Sequence, residues 1–542
     1  MVNITFYGGI GEIGGNKILL EDGSTKIFLD FGLSFAAKSG FYDEFLQPRT
    51  NSCLRDQLLL GLIPPINGIY RQDLIELGGI CDITKDHDCP DLWGCKLKSY
   101  DEHVKENGTP LVSAVLLTHA HADHYQYISF LDPRIAIICS PETKVILEAI
   151  SDLSRTSVDN EICEANLREI SRCGESSTFP GQPTIKTTEN PVPREFTPLK
   201  SLEKTKIGGI EVTAVPVDHS VPGAYSYYIR TEDNKKIFYT GDLRFHGRLT
   251  ERSIIFNEFI RANQIDILIT EGTRIDKDKR DDETMVEERI SKTVSSTGLT
   301  VVEFSWKDTT RFDTLQKAAE TTGKTLVVCP KLAYLLYKLH KAFPNNFKPI
   351  EAYGNVKCYL SRTDSMLYSI SDYSKDKYKA GYELDWGERS KDIKNAFKQK
   401  NEEYLTPRVI HFKNGVKAID IRKDPEKYIL MLSFFEIDEL LDIKPPKGSV
   451  YIRARCEPFN DEMIIDDKKT KKWLNLFDIN EDFEEDLPNF HVSGHASGTE
   501  IKEMVRTMNP NTIFPVHTLH PEGFNEFGSK VILPKTGFRY DL

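Results

Sequence analysis

The segment PLVSAVLLTHAHADH, residues 110–124, constrains this chain more than any other. Its apolar first half predicts a buried strand, and its second half places three histidines and one aspartate within six positions. Imidazole and carboxylate groups suit zinc or manganese. His119 and His121 alternate and can face one ion, while Asp123 and His124 can turn toward a second. The alternative is a polar loop whose histidines are incidental.

Further candidate ligands follow other apolar strands. His219 comes after VPVD, Asp242 after IFYTG and His517 after TIFPV. An aspartate can bridge two ions. Because all three lie at strand ends, they are expected at one side of a sheet. Asp30, at the end of KIFLDFG, is predicted to orient a histidine ligand through its other ring nitrogen, or else to be a turn residue before Gly32.

The organisation of the chain indicates more than one domain. Its 542 residues exceed the roughly 250–300 residues over which a single core usually grows. Strand patterns dominate up to about residue 280. From about residue 284, helical patterns alternate with short strands, which indicates an α/β layer arrangement. Residues 35–110 have an irregular pattern and are interpreted as an insertion packed over another part of the chain.

Composition and charge narrow the class of protein. No signal peptide pattern begins the sequence and no apolar stretch approaches the roughly 20 residues of a spanning helix, so we expect a cytoplasmic protein without a membrane partner. The formal charge of −12 argues against a polycationic nucleic-acid coat, although a local groove with divalent ions can attract phosphate. Cys81, His87, Cys89 and Cys95 could bind zinc, but they lack paired CxxC spacing, and reduced loop cysteines are the preferred interpretation.

The ordered motifs HAHADH, DHS, GDL and VHT resemble those of the metallo-β-lactamase fold. The opening GGIGEIGGN and the late HVSGHAS are similar to those of the β-CASP nucleases, ribonuclease J most of all. The resemblance covers residues 1–34, 111–285 and about 485–520. It implies an α/β fold, an αββα sandwich with an inserted β-CASP domain. The implied division is a first sandwich part at 1–279, a β-CASP domain at 280–484 and a last sandwich part at 485–542.

The resemblance also implies two divalent ions, Zn²⁺ or Mn²⁺, held by seven side chains. The ligands of the first ion would be His119, His121 and His219, those of the second would be Asp123, His124 and His517, and the bridging ligand would be Asp242. The catalytic residues would be Asp123 and Asp242 together with His495 of HVSGHAS. His495 matches a family histidine that contacts the scissile phosphate and protonates the leaving oxygen.

Other matching positions would face the nucleic acid. His491 and Ser493 match a family segment that lies along a bound phosphate near the 5′ end, although a strand end with a helix-capping turn would explain them equally well. Ser305 and Arg311 correspond to a stretch that faces nucleic acid, and a solvated helix start is the alternative for Arg311. Glu271 matches an acid near the metals, with a purely structural role as its alternative.

The implied function is hydrolysis of phosphodiester bonds in single-stranded RNA, as a 5′-to-3′ exonuclease with an endonuclease mode also open. The alternatives are a β-CASP nuclease acting on DNA, a hydrolase of a small ester or lactone, and a catalytically silent binding subunit. GGIGEIGGN and HVSGHAS favour RNA, the α/β segment before HVSGHAS argues against a small substrate, and the intact ligand positions argue against a silent subunit. A homodimer is left open.

Overall fold

The computed structural model describes residues 2–43, 45–50, 53–78, 97–154, 157–174, 181, 183–278, 282–294, 297–362, 415–456, 461–481 and 490–542. The candidate zinc cluster of Cys81, His87, Cys89 and Cys95 lies outside these residues. The described strands form three large sheets and two short two-stranded pairs. Among the described residues, no helix combines the length and the apolar character that a membrane crossing requires.

The first sheet has seven strands. Their order is β10 (Phe196–Pro198), β5 (Ala136–Cys139), β4 (Ala114–Leu116), β3 (Thr25–Phe31), β2 (Lys17–Asp22), β1 (Val2–Gly8) and β24 (Arg539–Asp541). The pairs β1–β2 and β2–β3 are antiparallel, whereas β3–β4 and β4–β5 are parallel. Because neighbouring parallel strands run in one direction, the segments that follow β3, β4 and β5 lie side by side.

The second sheet has six strands. Their order is β11 (Lys204–Ile207), β12 (Ile210–Pro216), β13 (Tyr225–Arg230), β14 (Lys236–Tyr239), β15 (Ile267–Glu271) and β23 (Thr512–Val516). β14, β15 and β23 are parallel, and β12 runs in the same direction because one antiparallel strand separates it from β14. Four strands of this sheet therefore end at the same edge.

The two sheets pack face to face through apolar side chains that alternate along each strand. Ile27 and Leu29 of β3 point into this core together with Val212 and Ala214 of β12. Phe28, which lies between Ile27 and Leu29 in the sequence, packs on the opposite face of the first sheet. Successive residues of a strand point to opposite faces, so β3 is buried on both sides and reads as a continuous apolar run.

Helices cover the outer faces of this sandwich. Those on the first sheet are α1 (Phe35–Ser39), α2 (Cys53–Leu59), α3 (Gln72–Gly78), α4 (Tyr100–Asn107), α5 (Ala122–Tyr125) and α6 (Pro141–Leu153), and those on the second are α7 (Thr250–Ala262) and α14 (Gly498–Met508). The predicted α/β class and αββα sandwich are confirmed.

The described part of the 35–110 insertion is helical where the sequence pattern indicated irregular structure. Its helices α1 to α4 have only five to eight residues each, too few for a clear periodicity. The buried Arg71 lies 2.8 Å from Asp73 and 2.7 Å from Glu161, which anchors the insertion. Beside Glu161, two pairs of short strands form: β6 (Glu164–Ala165) with β9 (Val192–Pro193), and β7 (Arg168–Arg172) with β8 (Pro183–Thr187).

The third sheet forms a separate layered unit whose described strand pairs are all parallel. The strand order is β19 (Val416–Lys417), β18 (Val356–Leu360), β17 (Thr325–Val328), β20 (Tyr428–Met431), β16 (Thr300–Glu303), β21 (Val450–Arg453) and β22 (Asn480–Glu481). One face packs on α8 (Glu283–Thr293), α9 (Thr309–Thr321) and α10 (Pro330–Ala342), and the other on α11 (Ala418–Lys423), α12 (Leu440–Ile443) and α13 (Asp461–Leu476). Tyr334 of α10 donates a hydrogen bond to Asp152 of α6 at 2.7 Å, which joins this unit to the sandwich.

Candidate metal centre

Strand ends of both sheets converge on one cluster of imidazole and carboxylate groups. In its first half, the ligand atoms of His119, His121, His219 and Asp242 all lie within 4.8 Å of one another. Nδ1 of His121 is 3.0 Å from Nε2 of His119 and 3.1 Å from Nε2 of His219. His119 follows β4 of the first sheet, whereas His219 and Asp242 follow β12 and β14 of the second. The sandwich thus brings together residues that are 98 positions apart.

The second half of the cluster contains Asp123, His124, Asp242 and His517, again with ligand atoms within 4.8 Å of one another. Nε2 of His517 is 3.2 Å from Oδ2 of Asp123, and Nε2 of His124 is 3.1 Å from Oδ2 of Asp242. Asp242 belongs to both halves, and its Oδ2 also lies 3.6 Å from Nε2 of His119. A carboxylate in this position can bridge two cations.

Asp30 lies beneath the cluster, and its carboxylate accepts hydrogen bonds from three directions. Oδ2 is 2.7 Å from Nδ1 of His124 and 2.7 Å from the hydroxyl of Tyr239, and Oδ1 accepts from the backbone N–H of Thr118 at 2.8 Å. The contact with Nδ1 leaves Nε2 of His124 directed at Asp242. Asp30 and His517 both have a φ in the left-handed region, 55° and 51°, which non-glycine residues adopt rarely and mainly where surrounding contacts hold them.

Glycines of the first strand region allow the chain to approach Asp123 closely. A Cβ at Gly32 would lie 1.7 Å from the Asp123 carbonyl oxygen, and one at Gly14 would lie 2.6 Å from Asp123 Oδ2. The buried Lys17 donates to the carbonyls of Gly15 and Gly32 at 2.8 and 3.0 Å. The GGIGEIGGN segment therefore packs against the helix start that carries Asp123.

The donor atoms of the cluster, and the charge states of His119, His121 and Asp242, fit divalent cations. Burial and then the neighbouring histidines lower the pKa of His119 well below the usual value. Burial, His219 and Lys307 do the same for the pKa of His121. Both imidazoles are therefore in the neutral form that binds metal. Burial alone would raise the pKa of Asp242, but the charges of His124, His517 and His495 together outweigh it, and the pKa lies well below the usual value. Oδ1 of Asp242 is buried and, within the described residues, has no hydrogen-bond partner. A cation would satisfy this oxygen.

His495 lies at the open side of the cluster. Its Nδ1 is 2.9 Å from Oε2 of Glu271 and 4.0 Å from Oδ2 of Asp242. Burial opposes the charged form of His495, but the Glu271 and Asp242 carboxylates outweigh it and raise the pKa to about 9. Glu271 is itself held, because Oε1 accepts from the N–H of Leu243 at 2.8 Å. A charged imidazole so placed can donate a proton or stabilise an anionic oxygen.

Arg311 is buried in the first turn of α9, so the alternative of a solvated helix start is wrong. Its Nη2 lies 3.2 Å from Oε1 of Glu283, but no nitrogen of the guanidinium makes a hydrogen bond within the described part of the chain. Burial, and next the charge of Arg311, lower the pKa of His491 well below its usual value. Ser305, by contrast, lies exposed, and its Oγ accepts from the N–H of Lys307 at 3.4 Å.

Sequence reasoning missed two residues that connect these parts. Arg244 is fully buried, with Nε 3.1 Å from Oδ1 of Asp218 and Nη1 3.3 Å from the carbonyl of Ser493. His246 contacts the same carbonyl at 3.2 Å. Both follow Asp242 at alternate positions in GDLRFHG, and alternate residues of an extended chain share a direction. This spacing is the signal that would have pointed to them.

Comparison with protein families finds two matching segments. Residues 90–298 match the Beta-lactamase superfamily domain, and residues 486–522 match the Zn-dependent metallo-hydrolase RNA specificity domain. This chain contains a metallo-β-lactamase domain. The first segment contains six of the seven candidate ligands, and the RNA specificity segment contains His517 together with His491, Ser493 and His495.

Three solved structures are similar to this chain to different extents. A protein of unknown function from Enterococcus faecalis V583 is 20% identical, with 100% of both chains covered and a TM-score of 0.63, which supports the fold over the whole length. The metallo-β-lactamase fold protein YhfI from Bacillus subtilis is 12% identical, with 50% of this chain and 72% of that chain covered and a TM-score of 0.24. A Cronobacter sakazakii metallo-β-lactamase, HARLDQ motif mutant S60, is 15% identical, with coverages of 47% and 70% and a TM-score of 0.23. No curated protein matches the chain.

Proposed function

We propose that this protein is a metal-dependent ribonuclease similar to ribonuclease J. It hydrolyses phosphodiester bonds of single-stranded RNA in the 5′-to-3′ direction, with endonuclease cleavage as a second mode. The observation that carries the proposal is the position of the His–Asp cluster beside His495. His495 lies in the segment that matches an RNA specificity domain. That match favours RNA over DNA and over a small ester or lactone.

The proposed ligands of two divalent cations, Zn²⁺ or Mn²⁺, are the seven side chains of the cluster. When bound, the cations supply activation of water and neutralisation of charge on the phosphate oxygens. Asp30 holds Nδ1 of His124, and the hydroxyl of Thr273 lies 2.9 Å from Nδ1 of His517. These contacts keep Nε2 of both histidines directed into the cluster.

His495 is the proposed general acid, or else a positive clamp on the phosphate. Its side chain is 21% exposed while its partner Glu271 is 1% exposed, so the histidine is the member of the pair that a substrate can reach. A pKa of about 9 keeps a proton on His495 at neutral pH. Glu271 orients the imidazole, and the proton is available to the oxygen that leaves as the phosphodiester bond breaks.

Arg311, His491 and Ser493 are proposed to receive the 5′ phosphate. Burial of a guanidinium without hydrogen bonds lowers the stability of the fold. Within the described residues, the guanidinium nitrogens of Arg311 make no hydrogen bond. A phosphate monoester accepts several charge-assisted hydrogen bonds and would satisfy them. A phosphate pocket next to the cations would set a register of one nucleotide, with the exposed Ser305 farther along the RNA path.

The division of the chain into 1–279, 280–484 and 485–542 is part of the proposal, with the third sheet as the β-CASP unit. Its strands fall between Thr300 and Glu481. The cytoplasmic location and the homodimer stay predictions.

A cleavage assay tests the proposed function. Matched, internally labelled RNA and DNA single strands, each with a 5′ phosphate or a 5′ hydroxyl, are incubated with Zn²⁺ and with Mn²⁺. We expect rapid release of nucleotides from 5′-phosphorylated RNA and no cleavage by the Asp123→Ala, His124→Ala double variant. Preferential cleavage of DNA would assign the alternative nuclease. RNA cleavage by the folded double variant at the wild-type rate would refute the metal assignment.

A further inference from the structure

We propose that His246 is a positioning residue that holds the 493–495 loop, which contains Ser493, Gly494 and His495, in register with the metal ligands. The inference rests on the proposed function, because it assigns this loop to the phosphate. His246 itself lies outside both halves of the cluster.

The carbonyl groups of the 493–495 loop are held from the side of the second sheet. The Ser493 carbonyl oxygen accepts from Nε2 of His246 at 3.2 Å and from Nη1 of Arg244 at 3.3 Å. A carbonyl oxygen has two lone pairs, so these two donors occupy it fully. The next carbonyl, that of Gly494, accepts from Nδ1 of the candidate ligand His219 at 2.6 Å. The loop and the metal ligand are therefore in direct contact.

The fit between the loop and His219 leaves little room for movement. A Cβ on Gly494 would lie 3.0 Å from Cε1 of His219 and 3.1 Å from Oγ of Ser220. Such distances are tighter than ordinary van der Waals contacts, so a shift of the loop toward the cluster is blocked. A shift away from the cluster is opposed by the N–H of Ala496, which donates to the Leu243 carbonyl at 2.7 Å, by the contact of His495 with Glu271, and by the donors on the two carbonyls. His246 is one of three such donors.

His246 also connects the loop to the start of α14. Its Nδ1 lies 3.1 Å from Oε2 of Glu500. Both ring nitrogens of His246 face acceptors, the Ser493 carbonyl and the Glu500 carboxylate. Glu500 accepts from the N–H and the hydroxyl of Ser497 at 2.8 and 3.0 Å, which caps the helix. His246 therefore spans the turn between Ser493 and α14.

Loss of His246 is expected to move the loop without unfolding the protein. Arg244 still donates to the Ser493 carbonyl, and it is held by Asp218 at 3.1 Å and by the hydroxyl of Thr310 at 3.1 Å. The metal ligands keep their own contacts. The rate of a reaction that depends on Ser493 and His495 should therefore fall, while the rate of a reaction that depends on the cations alone should be unchanged.

Two substrates separate these cases. One is 5′-phosphorylated RNA. The other is bis(4-nitrophenyl) phosphate, which has no 5′ phosphate to place and whose 4-nitrophenolate leaves without a proton donor. We expect His246→Ala to lower kcat/KM for RNA by about 10-fold, the effect of losing one hydrogen bond to the loop. Hydrolysis of the small diester should stay at the wild-type rate. The protein should remain folded with a modestly lower Tm, because the largely buried His246 loses its contacts with Ser493 and Glu500. His246→Gln, which retains one donor, should recover part of the RNA activity.

The matched control is His340→Ala on α10. Nδ1 of His340 lies 2.9 Å from the carbonyl of Phe347, so this variant also loses a contact between a histidine and a backbone carbonyl. It should leave both substrates unaffected. A binding measurement complements the rates. In the non-cleaving Asp123→Ala background, His246→Ala should reduce the preference for 5′-phosphorylated over 5′-hydroxylated RNA.

The outcomes are distinguishable. If His246→Ala cleaves RNA at the wild-type rate, or keeps the full 5′-phosphate preference, the positioning role is refuted while the proposed function stands. If the rates for both substrates fall together with a large loss of Tm, His246 contributes mainly to stability and the positioning role is refuted. If the wild-type protein with Zn²⁺ or Mn²⁺ cleaves no RNA, the proposed function fails and the inference fails with it.

Discussion

The proposed site has two sides, the metal ligands (the metal side) and the residues proposed to receive the phosphate (the phosphate side). They are built in different ways. The metal side consists of side chains that follow strands directly, so the direction of each parallel strand places its ligand, as with His219 after β12 and His517 after β23. The phosphate side depends on buried contacts between distant segments. Arg244 alone links the β12 end, the 493–495 loop and α9. The metal side is thus a product of topology, whereas the phosphate side is a product of packing between the sandwich and the third-sheet unit.

The largest expected effect is on the metal side. Asp242→Ala should abolish cleavage of both RNA and bis(4-nitrophenyl) phosphate, because it removes the carboxylate shared by both halves of the cluster. Rates are measured with Mn²⁺ and with Zn²⁺. The control is Asp266→Ala, just before β15 at the opposite end of the same sheet, which should retain activity. Substantial diester hydrolysis by Asp242→Ala would remove the distinction between the two sides.

On the phosphate side, Arg311→Met should reduce the preference for 5′-phosphorylated over 5′-hydroxylated RNA by about 10- to 100-fold, because charge-assisted hydrogen bonds are lost. The small diester should be cleaved at the wild-type rate. Competition between the two RNAs measures the preference. Arg506→Met, which removes an exposed arginine on α14, serves as the control and should change nothing. An unaltered preference in Arg311→Met would show that the 5′ phosphate does not bind there.

Asp30→Asn should weaken metal binding by about 10- to 100-fold, because carboxylates that hold ligating histidines contribute to metal affinity at this level. Asp30 lies 2.7 Å from Nδ1 of His124. Calorimetric titration of the metal-free protein with Zn²⁺ measures the affinity. Tyr239→Phe, which removes only the hydroxyl that donates to Asp30, should have a smaller effect. Equal affinities for wild type and Asp30→Asn would show that His124 does not depend on this support.

The smallest expected effect comes from a residue that lies away from both sides of the proposed site. Tyr334→Phe removes the hydrogen bond to Asp152 between α10 and α6, and the free energy of unfolding should fall by about 0.5–1.5 kcal/mol. RNA cleavage should be unaffected. Tyr337→Phe on the same helix is the comparison for stability. A loss of RNA activity in Tyr334→Phe would mean that RNA cleavage depends on more of the packing between the sandwich and the third-sheet unit than the Arg244 contacts.

The sequence predicted the fold where periodicity is long and failed where elements are short. The strands of the sandwich and the helices after residue 284 have regular patterns, and the α/β class is confirmed. The 35–110 insertion looked irregular because helices of one to two turns have little periodicity. Its anchor is the long-range contact between Arg71 and Glu161, which no local pattern reveals.

For the site, strand-end histidines and aspartates were visible as polar residues after apolar runs. Arg311 was assigned by motif resemblance, but its burial could not be read from a helix start rich in polar residues. Arg244 and His246 were overlooked because arginine and histidine after a strand are ordinary at a surface. Their significance comes from a partner, the Ser493 carbonyl, that lies 249 and 247 positions away.

The most direct test of the central claim, that seven side chains hold two cations, is anomalous diffraction from crystals grown with Mn²⁺. We expect two peaks, one among His119, His121 and His219 and the other among Asp123, His124 and His517, with Asp242 in contact with both. A single peak would contradict the bridging role of Asp242. An absence of anomalous signal among these side chains, at a concentration of Mn²⁺ that supports cleavage, would contradict the account as a whole.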